Sequence, residues 1–431
     1  MKKTYRMCAL MLSAMLVATG CGNTVTEAPI DDAVAQEIAQ ATEEVIDELS
    51  EALSDVDEAT EETKEAVEET KEATEEVVEE IEEVTPVDLD NISSVEYAKL
   101  LKLGWNLGNT LDATGSSGLD SETSWQQPMT TQELISYIKE VGFTSIRIPV
   151  SWGKHTDENY KIDPEWMARV KEVVDYAYNA DLYVIINSHH DNDYYYPSAE
   201  KLENGKKYIA TIWEQIAEEF KDYDNHLVFE SMNEPRLSGT NIEWWFAMSD
   251  PEGNAAIERI CELNQVFVDT VRASGGNNAG RFIMVPSYAA APDFALSNSF
   301  TMPEDPSNRI MLSVHAYTPY DFAGKATGYK DWDGSKNSEF IFMGKLMSKF
   351  IVNGYGIVIG EFGATNKDNL ESRCKWARGY CSKAAGYGIS CFLWDNGAVG
   401  VGEENFGMIN RRTLEVHFPE LLEAYKYGYN Q

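Results

Sequence analysis

The stretch HLVFESMNEPR, residues 226–236, joins a short apolar run to a turn that presents Asn233 and Glu234. Pro235 follows directly, removes a backbone hydrogen-bond donor and favours an extended or turn conformation at Glu234. This pattern predicts a short buried strand whose end holds a carboxylate in a fixed position. A single acid after a strand is more often simply solvated, so the rest of the chain must decide what Glu234 does.

The 431-residue chain contains eight such apolar runs after residue 87, and segments with helical periodicity lie between most of them. The runs are residues 101–107, 144–150, 182–187, 227–232, 281–286, 310–315, 356–361 and 389–394. Strands that alternate with helices pair in parallel, so eight units predict an α/β fold, a (β/α)8 TIM barrel. The alternative is an open doubly wound sheet, but LGWNLGN at residues 103–109 does not form the GxGxxG loop expected there.

The ends of these runs carry polar and aromatic side chains, and in such a barrel the active site lies at the C-terminal strand ends. The residues are Asn106, Asn109, Arg147, His189, His190, Asp191, Asn233, Glu234, His315, Tyr317, Glu361, Trp394, Asp395 and Asn396. Glu234 and Glu361 would face each other across the barrel mouth, and glycoside cleavage needs such a pair. A separation of about 5 Å would retain the anomeric configuration, whereas ~6.5–9.5 Å would invert it.

The neighbours of the two acids suggest how they would work. Arg147 and Tyr317 would support an ionised Glu361, since a nearby cation and a hydrogen bond favour the charged form. An acid at Glu234 would need a pKa raised by its negatively charged neighbour. Trp394 offers a flat apolar face for a pyranose ring. The HHDND run at 189–193 could suggest a metal site, but we expect a sugar-site histidine there and no metal.

Seven motifs occur in order: GWNLGNTLDA (104–113), RIPVSW (147–152), INSHH (186–190), MNEPR (232–236), VHAYTPYDF (314–322), GEFG (360–363) and WDNG (394–397). Together they resemble family 5 glycoside hydrolases, also called cellulase family A, over nearly all of residues 95–425. GWNLGNTLDA and WDNG are most similar to the branch of broad-specificity endo-β-1,4-glucanases. The resemblance implies a retaining double displacement on β-glucans such as cellulose, without a metal or other cofactor.

The resemblance also implies roles for individual residues. Glu234 of MNEP would be the acid/base and Glu361 of GEFG the nucleophile. The residues expected to line the reacting sugar's subsite are Arg147, His189, Asn233, His315, Tyr317 and Trp394. Further expected sugar contacts are Asn106, His190 and Asn396.

Two alternatives to an endoglucanase remain open. A β-mannanase or a dedicated xyloglucanase would use the same machinery on another polysaccharide. A non-catalytic surface module would bind glycan through aromatic clefts, although a pure binder has no need of both Glu234 and Glu361.

Residues 1–21 have the features of an export signal. Lys2, Lys3 and Arg6 precede an apolar run at 7–18 that is too short for a typical membrane-spanning helix of ~20 residues. The run leads into VATGC at 17–21, which resembles a bacterial lipobox with Cys21 as the lipidated residue. We therefore predict an exported protein, either a cell-surface lipoprotein anchored in the membrane through Cys21 or a secreted protein.

Residues 22–86 are predicted to be an acidic spacer before a catalytic domain at 87–431. Positions 27–86 hold 24 acids, two lysines, no glycine and no aromatic residue, so they cannot form a core. Heptad-like spacing leaves two alternatives, a solvated, partly helical or disordered spacer and a self-associating coiled coil. The net charge of −37 argues against nucleic acid as a partner, because phosphates repel it.

Overall fold

A computed structural model describes residues 88–429 of the chain. The predicted signal at 1–21 with its lipidation site Cys21, and the predicted spacer at 22–86, lie outside the described residues. None of the described helices is long and apolar enough to span a membrane.

Eight parallel strands form a closed barrel in chain order, and the first strand pairs with the last. The strands are β1 (Leu103–Asn106), β2 (Ser145–Ile148), β3 (Tyr183–Asn187), β4 (Leu227–Glu230), β5 (Ile283–Pro286), β6 (Ile310–His315), β7 (Gly356–Phe362) and β8 (Ser390–Leu393). Each predicted apolar run coincides with one of them, and only β7 extends beyond its run, by the single residue Phe362. The predicted (β/α)8 barrel is therefore confirmed for this part of the chain.

Helices surround the barrel, and a small antiparallel pair follows the last barrel strand. The helices are α1 (Ser94–Leu100), α2 (Gln132–Glu140), α3 (Pro164–Tyr178), α4 (Leu202–Glu219), α5 (Pro251–Ala273), α6 (Pro292–Ala295), α7 (Tyr320–Ala323), α8 (Ile341–Lys349), α9 (Leu370–Gly386) and α10 (Pro419–Lys426). The additional pair is β9 (Ile409–Asn410) with β10 (Glu415–Val416).

Local sequence explains where the helices begin. At α3, the Asp163 side chain accepts a hydrogen bond from the backbone N–H of Glu165, and Pro164 occupies the first turn, where no N–H is needed. At α2, Thr131 accepts from the N–H of Leu134 in the same manner. These caps satisfy donors that the first helical turn would otherwise leave unpaired.

The barrel interior is filled by apolar side chains and closed at its N-terminal end by α1. Ser94 of α1 accepts a hydrogen bond from the N–H of Gly356, the first residue of β7. The interior residues include Ile185, Val228, Met284, Met311, Val358 and Phe392. This packed plug leaves only the C-terminal end of the barrel open for a site.

Irregular pairing occurs where two strands deliver site residues. The β6–β7 register shifts between Val314 and His315, so that His315 pairs with Glu361. The β7–β8 register also shifts, between Ile359 and Phe362. Such irregularities bend a strand and re-aim its side chains. The bends therefore help to turn His315 and Glu361 toward the barrel mouth.

A glycine in β1 provides a test of this packing. A Cβ added at Gly104 would lie 2.2 Å from Cδ1 of Phe392, a ring with no room to move in the filled barrel. We expect Gly104→Ala to lower the free energy of unfolding by about 1–3 kcal/mol, measured by urea denaturation. Gly386→Ala is the control, because a Cβ there meets no atom within 4 Å. Equal stability of the two variants would contradict the packing described.

Candidate active site

The Arg147 side chain lies at the centre of the barrel mouth and is fully buried. Its Nε donates to Oε2 of Glu230 at 2.7 Å, and its Nη1 donates to Oε1 of Glu361 at 2.9 Å. Nη1 also donates to Oδ1 of Asn106 at 3.0 Å, and Nη2 donates to Oδ1 of Asn233 at 2.7 Å. One guanidinium thus joins side chains carried by β1, β2, β4, the turn after β4 and β7.

Glu230 is the buried counter-charge of this arginine. The two side chains form an ion pair in which neither is exposed to solvent. Its other bonds come from Nδ2 of Asn187 at 3.1 Å and Oγ of Ser313 at 2.5 Å. A carboxylate so fully engaged has no free oxygen for chemistry, so Glu230 supports the site from below.

Glu361 and Glu234 converge above this layer. Glu361 accepts a hydrogen bond from the hydroxyl of Tyr317 at 3.0 Å, in addition to the one from Arg147. His315 lies between the two acids: its Nδ1 is 2.8 Å from Oε1 of Glu234 and 3.6 Å from Oε2 of Glu361. A carboxylate oxygen of Glu234 and one of Glu361 lie within 4.8 Å of each other.

The surroundings shift the pKa values of these groups in opposite directions. Burial raises the pKa of Glu361, against the lowering effect of His315 and Arg147. Burial acts on Glu234 too, but the hydrogen bond and charge of His315, with the charge of Arg236, lower its pKa overall. The raised pKa expected for Glu234 is therefore not found in the free protein. The expectation considered only the charge of Glu361, whereas His315 and Arg236 also face the carboxylate.

Two histidines follow β3 and differ in environment. Burial, together with the charges of His190 and Arg147, holds the pKa of His189 well below its ordinary value, so the ring is neutral. The ring of His189 is parallel to that of Trp394, with the centroids 5.8 Å apart. His190 is more exposed; its Nε2 lies 3.6 Å from Oδ2 of Asp112, and its ring contacts Trp125.

The donor atoms of Asp112, His189 and His190 lie close enough together to hold a metal ion, as do those of Glu234, His315 and Glu361. In the first group, however, Asp112 already accepts N–H bonds from Asn109 and Thr110. In the second group, Glu234 is hydrogen-bonded to His315, and Glu361 accepts hydrogen bonds from Arg147 and Tyr317.

Asn106 and Asn396 are placed differently from the other predicted sugar contacts. Asn106 is fully buried; its Nδ2 donates to the carbonyl oxygens of Gly360, Phe392 and Leu393, one layer below the acids. Asn396 donates to the carbonyl oxygen of Glu404 and accepts from the N–H groups of Ala398 and Phe406. Its amide thus holds the loop after β8.

Several residues of the site were not singled out beforehand. Asp112 lies within the GWNLGNTLDA motif and Asn187 within INSHH, so a closer examination of those motifs could have found both. Arg236 lies within MNEPR, two residues after Glu234, and could have been found in the same way. Ser313 carries no local signal, because only the folded chain brings it to Glu230.

The buried pair of Arg147 and Glu230 yields a stability prediction. Glu230→Gln removes the charge but keeps the shape, and leaves the guanidinium short of a counter-ion. We expect the free energy of unfolding to fall by roughly 3 kcal/mol, measured by chemical denaturation. Glu371→Gln removes an exposed acid that pairs with Lys375, and should leave stability unchanged. A stable Glu230→Gln variant would show that the pair is dispensable for folding.

Comparisons with known proteins agree with this geometry. Residues 110–400 match the family model described as cellulase, glycosyl hydrolase family 5. Endoglucanase B of Neocallimastix patriciarum is 44% identical over 348 residues, which cover 78% of this chain and 72% of that protein. Endoglucanase A of Ruminococcus albus is 43% identical over 334 residues, 76% of this chain and 90% of that protein.

Solved structures show the same relationship. A mutant family 5 lichenase from Caldicellulosiruptor sp. F32, in complex with cellotetraose, is 45% identical, with a TM-score of 0.76 over 78% of this chain and 96% of that one. A broad-specificity endoglucanase of subfamily 4 from Ruminococcus champanellensis, with bound cellotriose, is 41% identical, with a TM-score of 0.74 over 78% and 98%. Matches of this extent assign a family, and the chain belongs to glycosyl hydrolase family 5, the cellulase family.

Proposed function

We propose that the protein is a retaining endo-β-1,4-glucanase that hydrolyses internal bonds of cellulose and related β-glucans. The observation that carries the proposal is the approach of the Glu234 and Glu361 carboxylate oxygens to within 4.8 Å. Retaining glycosidases need carboxyl groups only about 5–5.5 Å apart, whereas inverting ones need ~6.5–9.5 Å for a water molecule. An approach this close supports the retaining geometry.

Glu361 is suited to attack the anomeric carbon. Arg147 and Tyr317 each direct a hydrogen bond at a different oxygen of this carboxylate, which orients it and favours its charged form. Attack would form a glycosyl-enzyme ester and expel the leaving sugar. Burial raises the pKa of Glu361, so its ionised form becomes the major one at a higher pH than in an exposed glutamate.

Glu234 would donate a proton to the leaving oxygen and later take one from water. Nδ1 of His315 lies 2.8 Å from Oε1 of Glu234 and donates to it, while Nε2 lies 3.5 Å from Nη2 of Arg147. The catalytic proton then belongs on Oε2. The Glu234 side chain is 18% exposed, and a glucan that covers it would exclude water and raise its pKa, as an acid requires.

A β-glucan substrate is supported by the sugar-facing groups and by the relatives. The Nδ2 of Asn233 donates to no group within residues 88–429, so it is available for a sugar 2-hydroxyl. Trp394 offers an aromatic face beside neutral His189. The similar proteins are named endoglucanases, and two similar structures contain cello-oligosaccharides.

The assignment is tested by removing the nucleophile. Glu361→Gln should lower hydrolysis of soluble β-glucan by roughly 10⁴-fold or more, measured as reducing-sugar release, because an amide cannot form the ester. Glu403→Gln removes an exposed acid from the loop after β8 and should keep wild-type activity. Normal activity of Glu361→Gln, confirmed on freshly purified protein, would refute the proposed roles.

Rates on different polysaccharides decide the specificity. The wild-type protein should act on carboxymethylcellulose and lichenan. A clear preference for xyloglucan or glucomannan would instead favour the xyloglucanase or β-mannanase alternative. If the protein binds these polysaccharides but releases sugar from none of them, it is a non-catalytic glycan-binding module.

We also propose export and a lipid anchor at Cys21, with residues 22–86 as a spacer rather than a part of the enzyme. The basic and apolar composition of residues 1–21 and the acidic composition of 27–86 support this. Deleting residues 22–86 should leave hydrolysis of soluble glucan unchanged. In bacterial cells, Cys21→Ser should abolish incorporation of labelled palmitate. Loss of activity on deletion, or continued labelling of Cys21→Ser, would contradict the respective part.

A further inference from the structure

Asn187 is the last residue of β3, and its side chain is fully buried. Its Oδ1 accepts a hydrogen bond from the backbone N–H of Val150 at 3.1 Å. On the other side, its Nδ2 lies 3.1 Å from Oε2 of Glu230, an oxygen that also accepts from Nε of Arg147 at 2.7 Å. A backbone N–H can only donate and this carboxylate oxygen only accepts, so both contacts fix the same orientation of the amide.

The same amide nitrogen reaches the first histidine after β3. Nδ2 of Asn187 lies 3.1 Å from Nδ1 of His189. An amide nitrogen carries two hydrogens and accepts none, so one hydrogen goes to Glu230 and the other to His189. Nδ1 must therefore present its lone pair. Because the ring is neutral, its single N–H hydrogen lies on Nε2.

The Nε2 of His189 lies beside the proposed nucleophile. It is 4.0 Å from Oε1 of Glu361, which is too far for a hydrogen bond. No group among residues 88–429 accepts a hydrogen bond from it. The ring itself cannot turn freely, because it is parallel to the ring of Trp394 and meets the ring of His190 edge-on at a centroid distance of 4.5 Å. A fixed N–H group is thus left without an acceptor next to Glu361.

We infer that Asn187 is a positioning residue that holds His189 in the tautomer with hydrogen on Nε2, so that the ring donates to a hydroxyl oxygen of the sugar that Glu361 attacks. The inference rests on the proposed function, since the acceptor it names is part of the substrate. The opposite tautomer would turn a lone pair toward the carboxylate of Glu361 and could only accept a hydrogen bond. Hydrogen bonds to sugar hydroxyls that strengthen in the transition state contribute to glycoside cleavage.

This role differs from simple filling of space. The buried amide connects Glu230, which balances the charge of Arg147, with a ring that faces the cleft. A side chain of the same shape without the amide hydrogens would fill the same volume. It would no longer decide which nitrogen of His189 carries the hydrogen. The tautomer is therefore the property that an experiment must read.

The first experiment reads the tautomer in the wild-type protein. Protein labelled with ¹⁵N-histidine is examined by long-range ¹H–¹⁵N correlation, in which protonated and bare ring nitrogens have clearly different shifts. The chain has 6 histidines, and the signals lost in His189→Ala identify those of His189. We expect the hydrogen on Nε2. A hydrogen on Nδ1 in the wild type refutes the inference without any further variant.

The second experiment replaces the donor by an acceptor. Asn187→Asp keeps the shape and an oxygen for the N–H of Val150, but it turns an oxygen toward Nδ1 of His189. We expect the ring hydrogen to move to Nδ1 and kcat/KM on β-cellobiosyl fluoride to fall by roughly 10- to 100-fold. Asn278→Asp is the matched control: this buried asparagine precedes β5, at the other end of the barrel, and its Nδ2 donates to the carbonyl oxygen of Ala217. The control should lose stability but keep the activity of the folded protein.

A double-mutant cycle with His189→Ala separates positioning from a structural role. If Asn187 acts through His189, Asn187→Asp should cost less than roughly threefold in kcat/KM once the ring is absent. Repulsion between the new carboxylate and Glu230, or a loss of packing, would lower activity by the same factor in both backgrounds. Asn187→Ala repeats the cycle without an added charge, and its loss of activity should likewise disappear in the His189→Ala background.

The outcomes separate the inference from the proposed function. If the wild-type protein releases neither sugar from cellotetraose nor fluoride from β-cellobiosyl fluoride, the proposed function fails, and with it the sugar as the acceptor. If the wild type is active but the ring hydrogen of His189 stays on the same nitrogen in Asn187→Asp, Asn187 does not set the tautomer. Equal losses in the two backgrounds of both cycles refute its action through His189.

Discussion

The buried charge of Arg147 is the constraint on which the rest of the site depends. A guanidinium with no access to water costs several kcal/mol unless carboxylates and other acceptors surround it. Here Glu230 and Glu361 supply the charge, while Asn106 and Asn233 accept its remaining N–H groups. These partners come from strands on different sides of the barrel. The barrel must therefore close with these strands in one arrangement, and the proposed nucleophile is also part of what holds the mouth together.

The two glutamates of the cleft, Glu234 and Glu361, differ in their exposure and in their hydrogen-bond partners. Glu361 lies deeper and receives donors on both oxygens, from Arg147 and Tyr317. Glu234 is more exposed, and its two oxygens face unlike groups, a histidine on one side and Arg236 on the other. A group that must attack carbon gains from fixed orientation. A group that must exchange a proton with solvent gains from partial exposure.

Irregular strand pairing also helps to position the side chains of the candidate site. The register shift at His315 sets this residue opposite Glu361 in the β6–β7 pair, which lets its ring reach Glu234 as well. The plug of apolar side chains beneath, closed by α1, keeps the mouth from collapsing into the barrel.

The sequence by itself determined the barrel and placed Glu234 and Glu361 at the ends of its strands. Eight apolar runs with polar ends, such as HLVF before Asn233 and Glu234, are a local pattern. Such a pattern can be recognised in the sequence without knowledge of contacts between distant residues. Only the tertiary structure decided that oxygens of Glu234 and Glu361 approach within 4.8 Å, and that the guanidinium of Arg236 contacts Oε2 of Glu234. The physical reason is that barrel closure sets distances between residues far apart in the chain, and the same closure decides which buried groups share a charge.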